Sequence, residues 1–314
     1  DETSYSTYET AEVHFEFANN GLKMYMLGDG GNTIDEWTCQ TAFDMSSCTY
    51  TAQSSSVSGS NPYGLTVSND GSKIWHIAQD TTTVYEHSMS TPFDITTISL
   101  NDQTKSLNSA TYTKALQWNN DGSKLYFIDA GSDNLDEWTC QTAFDISSCS
   151  SSTTYSLSSG WNVQDFWFSN DGNDLYWVQF NNDTVYHNTC GTAWLVTSCT
   201  TSQTTLSIGS QDNTPNGLYI SPLGDKLFIS GNQGDDITEY SMSVGTSGNF
   251  IETSTPISVT GIFEQGVSGS MVFSNNNIPD NSDAMSLGSW VKLDSLITFE
   301  NDFSSDEFTH ADIL

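Results

Sequence analysis

Arginine is missing from this chain of 314 residues. Lysine occurs only seven times, at 23, 73, 105, 114, 124, 226 and 292, against 39 acidic side chains, and the formal charge is −32. Without clustered cations the chain cannot neutralise a phosphate backbone, which excludes nucleic acid as a partner. Without a guanidinium fork it cannot grip a phosphate, sulfate or carboxylate substrate bidentately. No apolar run approaches the length of a membrane span, and no basic-then-apolar leader opens the sequence, so Asp1 reads as a processed start. Helical periodicity is absent throughout. The five histidines, at 14, 76, 87, 187 and 310, stand singly, and no HxH, HExxH, GxSxG, Walker or Rossmann pattern occurs. Hydrophobic content of 36%, with 12% aromatic residues, is nevertheless enough for a packed core.

What is present is a repeat. Five segments align without gaps: FEFANNGLKMYML, LTVSNDGSKIWHI, LQWNNDGSKLYFI, FWFSNDGNDLYWV and LYISPLGDKLFIS. Their glycines, Gly21, Gly71, Gly122, Gly172 and Gly224, are spaced by 50, 51, 50 and 52 residues. A period near fifty in an all-β pattern predicts the blades of a β-propeller. Each unit reads as four strands. A short apolar strand ends in a turn whose glycine can take positive φ. A second strand, such as Ile74 to Ile77, is continuously apolar and therefore buried on both faces. A third follows an Asp/Asn/Gly loop, and a Ser/Thr-rich outer strand faces solvent. Met271 to Asn277 fits a sixth first strand, and Ser4 to Val13 fits an unattached outer strand. The expectation is a single propeller of six four-stranded blades of about 51 residues, closed by the N-terminal strand, with five blades plus a C-terminal extension as the competing count. Residues 1–274 would hold blades one to five, the closing strand and the start of blade six. Residues 275–314 would be a degenerate sixth blade or an acidic docking segment.

The stretches SNDGSKIWHIAQDTTTVYEHSMSTPFDITT and NNDGSKLYFIDAGSDNLDEWTCQTAFDISS resemble the SPDG-K-hydrophobic-Tyr-Val propellers, which include the YVTN repeats of archaeal surface-layer proteins. They are closer still to the NxDGTKMYVxG…VYEYxLSTAFDVSTA repeats of marine microbial and viral surface proteins. The resemblance covers roughly residues 13–260. It implies a propeller displayed outside the cell and carries no catalytic motif, since propellers host unrelated functions.

Cysteines fall in three pairs nine residues apart: Cys39/Cys48, Cys140/Cys149 and Cys190/Cys199. In the second and fifth units the same two positions hold Met89/Ile98 and Met242/Ile251, so both members change together. Joint replacement predicts contact, hence three disulfides within blades and an oxidising compartment; the spacing is poor for zinc. Lysine two residues after the glycine (23, 73, 124, 226) accompanies glutamate fifteen after it (36, 86, 137, 239). In the fourth unit these become Asp174 and His187, a reversal that predicts a cross-strand ion pair. His76 takes a core strand position and reads as a satisfied core histidine.

Two sets of residues are candidates for binding. Acidic loops around Asp29, Asp129, Asp133, Asp235 and Asp236 offer the oxygens that calcium needs, although tight turns use the same residue types. No cofactor is otherwise required. By alignment the ring mouth is lined by His14, Tyr63, Lys114, Gln164, Asp165 and Asn216, with Trp161 nearby, and these aromatic and amide groups suit a sugar or fill a channel equally well. The strand positions facing the channel are Glu16, Thr66, Gln117, Trp167 and Tyr219. In the SNDGSKIW stretch Asp70 and Gly71 are adjacent, whereas the sialidase Asp-box separates them by one residue. Asn182-Asp183-Thr184 forms the one glycosylation sequon. The leading expectation is a non-catalytic module at the cell or virion surface or free outside the cell. It would bind an extracellular glycan or protein, or build a layer, fibre or appendage. The alternatives are a metal-dependent propeller hydrolase or lactonase, and a filament subunit contacting copies of itself through its terminal segments.

Overall fold

The structure is a computed structural model. It describes residues 2–6, 14–27, 32–59, 61–79, 81–107, 110, 112–157, 162–200, 204–210, 213–231 and 236–242. Five four-stranded antiparallel sheets account for the described residues. After β1 (Glu2–Ser6), blade 1 is β2 (His14–Ala18), β3 (Lys23–Leu27), β4 (Ile34–Cys39) and β5 (Cys48–Gln53). Blade 2 is β6 (Pro62–Val67), β7 (Lys73–Ala78), β8 (Thr83–Met89) and β9 (Ile98–Ser106). Blade 3 is β10 (Thr113–Trp118), β11 (Lys124–Asp129), β12 (Asn134–Cys140) and β13 (Cys149–Ser156). Blade 4 is β14 (Val163–Phe168), β15 (Asp174–Gln179), β16 (Thr184–Thr189) and β17 (Thr204–Ser207). Blade 5 is β18 (Pro215–Ile220), β19 (Lys226–Gly231), β20 (Asp236–Ser241) and, outermost, β1.

The expected count of six blades is corrected to five. The innermost strand of each blade packs on those of both neighbours, and β18 packs on β2, so the ring closes between blades 5 and 1. Phe17 of blade 1 stands 5.4 Å from Tyr219 and 4.9 Å from Phe228 of blade 5, and Lys226 Nζ donates to Phe43 O at 2.7 Å. These contacts occupy the gap a sixth blade would need. An N-terminal strand does close the ring, but it is Glu2–Ser6 on blade 5, with Thr3 opposite Glu239, and not Ser4 to Val13 on a sixth blade; residues 7–13 lie outside the described residues. The sixth-blade match at Met271 to Asn277 and the 275–314 segment lie outside the described residues.

One loop explains much of the repeat. Phe43, Phe93, Phe144 and Trp194 lie in the left-handed region (φ 54° to 60°). Each donates its N–H to the carbonyl of its own blade's turn glycine, at 2.9–3.1 Å. The ring then lies so close that a Cβ on Gly122 would sit 2.4 Å from Phe144. The aspartate that follows, at 44, 94 and 145, caps a single 3-10 turn by accepting the N–H two residues on, a short-range role suited to Asp. The turn delivers the chain into the outer strand. All three expected disulfides close this loop: Cys39–Cys48 and Cys140–Cys149 bridge third and outer strands, and Cys190–Cys199 joins an isolated bridge pair between β16 and β17. Met89 and Ile98 take the same opposed register in blade 2.

Candidate functional site at the ring axis

The axis is where the blades can present different side chains to one another. The inner strands of blades 2 to 5 each carry a register shift, at Pro62/Leu65, Lys114/Leu116, Val163/Asp165 and Pro215/Gly217. A bulge leaves a backbone N–H without a ladder partner, and a buried N–H must find another acceptor. The residues at the bulge provide several. Asp165 Oδ1 accepts from Phe166 N at 2.7 Å and Oδ2 from Leu218 N of blade 5 at 2.6 Å. His14 Nδ1 accepts from Leu65 N of blade 2 at 3.3 Å. With Nδ1 accepting, a neutral His14 carries its proton on Nε2, which lies 2.9 Å from Asp165 Oδ2. The contact is not a formed hydrogen bond, because His14 Nε2 is left without a partner of suitable geometry. The pair joins blades 1 and 4, which are not neighbours, and so crosses the axis. At the same level blades 2 and 3 approach closely, and a Cβ on Gly64 would meet the Ala115 backbone at 2.5 Å.

A second crosslink lies one residue earlier along the inner strands. Tyr63 Oη of blade 2 donates to Gln164 Oε1 of blade 4 at 3.1 Å, and Lys114 Nζ of blade 3 donates to the same oxygen. The ammonium lies 4.9 Å from the Tyr63 ring centroid and 5.7 Å from that of Tyr112, a cation–π arrangement. Two residues past the His14–Asp165 level, Gln117 accepts from Phe168 N at 2.9 Å, and Trp167 and Tyr219 rings meet at 4.6 Å. Glu16 bonds to Thr66 and to the Val67 backbone. Burial raises its carboxyl to about 8, against those two bonds, so Glu16 is largely protonated at neutral pH. The axis is thus filled, with His14, Tyr63, Lys114, Gln164, Asp165 and Asn216 all buried.

The mouth set therefore resolves into two groups. Tyr63, Lys114 and Gln164 are joined by hydrogen bonds; His14 and Asp165 are in close contact, and each accepts a backbone N–H from another blade. Asn216 joins neither through a hydrogen bond, and its buried Nδ2 has no partner. At the same end, Gln79 Nε2, Thr113 Oγ1 and both side-chain atoms Nε2 and Oε1 of Gln179 are also buried without a partner. Gln179 ends β15 opposite Val163, and β15 packs on β18, which carries Asn216. Sequence reasoning missed Tyr112, Gln79 and Gln179, because they sit at strand ends outside the aligned segments. Trp161 lies outside the described residues.

Of the acidic-loop candidates, Asp29 and Asp235 lie outside the described residues, and Asp236 opens β20 opposite Ser6 and Gly231. Asp129 accepts from Gly131 N, Ser132 Oγ and Tyr112 N, and Asp133 Oδ1 from Val163 N. Among the described residues no three His, Cys, Asp or Glu side chains converge as metal ligands. The ion pairs predicted from the repeat are present: Lys23–Glu36, Lys73–Glu86, Lys124–Glu137 and Lys226–Glu239 at 2.5–2.7 Å, and in blade 4 the reversed Asp174–His187 pair is in hydrogen-bond contact at 2.7 Å. They also reach the next blade. Lys73 and Lys124 donate to Phe144 O and Trp194 O, and Ile95 N and Val196 N donate to Glu36 and Glu137. No helix among the described residues is long and apolar enough to cross a membrane.

No protein-family profile and no curated protein matches the sequence. Solved structures do. A functionally unknown protein of Desulfotomaculum acetoxidans is 12% identical, with a TM-score of 0.51 over 80% of this chain and 90% of that one. A protein of Lactobacillus plantarum is 14% identical, with a TM-score of 0.50 over 76% and 68%. A candidate 6-phosphogluconolactonase of Bacteroides uniformis is 13% identical, with a TM-score of 0.49 over 74% and 68%. At these identities the likeness concerns the fold alone, and the described residues form a β-propeller of five four-stranded blades.

Proposed function

We propose that this propeller is a non-catalytic extracellular binding module, related to the surface-protein repeats it resembles, whose mouth end takes a neutral, hydroxyl-rich ligand such as a glycan on an extracellular partner. The observation that carries this reading is the group of buried amide and hydroxyl atoms without partners at that end: Asn216 Nδ2, both polar atoms of Gln179, Gln79 Nε2 and Thr113 Oγ1. Unsatisfied buried polar atoms are costly, and a ligand rich in hydroxyls would supply both donors and acceptors once the side chains covering them moved aside. Tyr112, 44% exposed beside Lys114, offers a ring for a sugar face. The three disulfides fit a protein that works in an oxidising compartment.

The test is a glycan array followed by calorimetry on the intact protein and on Asn216→Ala and Tyr112→Ala. The reading expects binding of a neutral glycan, weakened about tenfold or more in either variant, at roughly 1.4 kcal/mol per tenfold. It is overturned if no glycan binds, or if the protein turns over a lactone or ester and His14→Ala abolishes that turnover.

A further inference from the structure

In blade 2 two histidines that stand alone in the sequence meet in the core. His76 and His87 are both fully buried, and His76 Nδ1 lies 2.8 Å from His87 Nε2. The backbone decides the protons. Asn101 N donates to His87 Nδ1 at 2.8 Å, so a neutral His87 carries its proton on Nε2 and donates it to His76 Nδ1. His76 then carries its own on Nε2 and donates to Ser58 O at 2.9 Å. Asn101 Nδ2 donates to Ser58 Oγ at 2.8 Å and completes a closed circuit, Ser58–His76–His87–Asn101. Asn101 is free to take part because the β8–β9 register slips between Glu86 and Ser88 and its φ is 61°.

The circuit holds one place in particular. Ser58 belongs to the link from blade 1 to blade 2, residues 54–59. The start of that link is tied to blade 1 through Ser54 N to Ile34 O and Val57 N to Asn32 O. Its far end is tied to blade 2 through Ser58. Every donor position in the circuit is filled when both rings are neutral. A further proton on either Nδ1 would face an N–H already pointing at it, so one joint must break.

We propose that the Ser58–His76–His87–Asn101 circuit is a proton-operated latch on the connection between blades 1 and 2, closed while both imidazoles are neutral and opened when either takes up a proton. The titratable groups around it are few. Tyr85 of β8 stacks on His76 with centroids 4.9 Å apart, and the charge of Asp102 on β9 favours protonation of His87. Across the interface blade 1 contributes Tyr25 and, beyond it, the Lys23–Glu36 pair, while His14 of β2 is engaged with Leu65 and Asp165. Residues 54–59 carry no ionisable group. Burial holds both rings below their ordinary 6.5, His76 at about 4 and His87 at about 3. The open form therefore binds the proton more readily. The latch is fully closed above pH 6.5 and is lost progressively as pH falls from 6.5 toward 4.

Hydrogen exchange of amides 54–59 and 98–102 in the intact chain, corrected for intrinsic rates, tests this across pH 7 to 4, with His76→Phe as the comparison because Phe127 occupies the matching position of blade 3. The latch predicts that opening of these amides grows by up to about tenfold per pH unit below pH 6.5. His76→Phe would lose that slope. Nitrogen NMR of the wild-type rings would find both protonated on Nε2 at pH 7 and still neutral at pH 5. A wild-type profile that is flat, a variant that keeps the slope, or rings that titrate near 6.5 would overturn the proposal. If His76→Phe does not fold, the wild-type ring titration decides alone.

Discussion

Glu16 and the turn glycines place single residues under opposed demands. The Glu16 carboxyl is raised to about 8 in the fold from an ordinary value near 4.5. The folded state therefore holds a proton that the unfolded chain releases between those values, and stability falls as pH rises from about 4.5 to about 8. Glu16→Gln removes that dependence. It should leave the melting temperature nearly unchanged at pH 5 and raise it at pH 8, as calorimetry at the two pH values would register. Gly122 has φ 70° and Phe144 packed where its Cβ would be, whereas Gly224 has the same φ and, among the described residues, no atom within 4 Å. Gly224→Ala should cost about 1–2 kcal/mol, the strain of the left-handed backbone alone, and Gly122→Ala clearly more in the same urea titration. The glycine positions were legible in the sequence because a hairpin turn repeats with its strands. His76 pairing with His87 was not legible, since eleven residues separate them on adjacent strands and each looks isolated along the chain.

At the scale of elements, the repeat encodes a strand-to-strand staple and a hook to the next blade. Reduced and alkylated protein should lose about 2–3 kcal/mol per bridge by the loop-entropy argument. Met89→Cys with Ile98→Cys should form a fourth disulfide, because these two residues already face each other in the register of the native pairs; mass spectrometry with and without reductant would detect it. The hook is costlier to break. Lys124→Met leaves the Glu137 carboxylate buried without its cation and Trp194 O with the Tyr126 hydroxyl as its remaining donor, and should destabilise by about 3–5 kcal/mol in denaturant unfolding. The intrablade half of this ion pair was readable from the reciprocal Lys/Glu and Asp/His exchange. The interblade half was not, because no spacing in the sequence says which carbonyl of the next blade the ammonium reaches. The His14–Asp165 pair was hidden for the same reason: it joins blades 1 and 4 across the axis, and each residue occurs once at its repeat position.

For the whole molecule, blade number is set by ring closure and not by counting motifs. A segment such as Met271 to Asn277 can match a first strand, yet the ring closes where Tyr219, Phe228 and Lys226 of blade 5 meet Phe17 and Phe43 of blade 1. The all-β class, the four-strand unit, the outer position of the N-terminal strand and the disulfides followed from periodic residues. The number of blades and the filled axis depend on packing between distant segments, which periodicity does not carry. Closure also makes the polar axis a single unit, with Lys114, Gln164 and Tyr63 binding three blades together. A density map at side-chain resolution tests the central claim most directly. The account predicts five four-stranded sheets around one axis, with β1 as the outer strand of the fifth and Lys226 Nζ on Phe43 O. A sixth sheet between Tyr219 and Phe17 would contradict it.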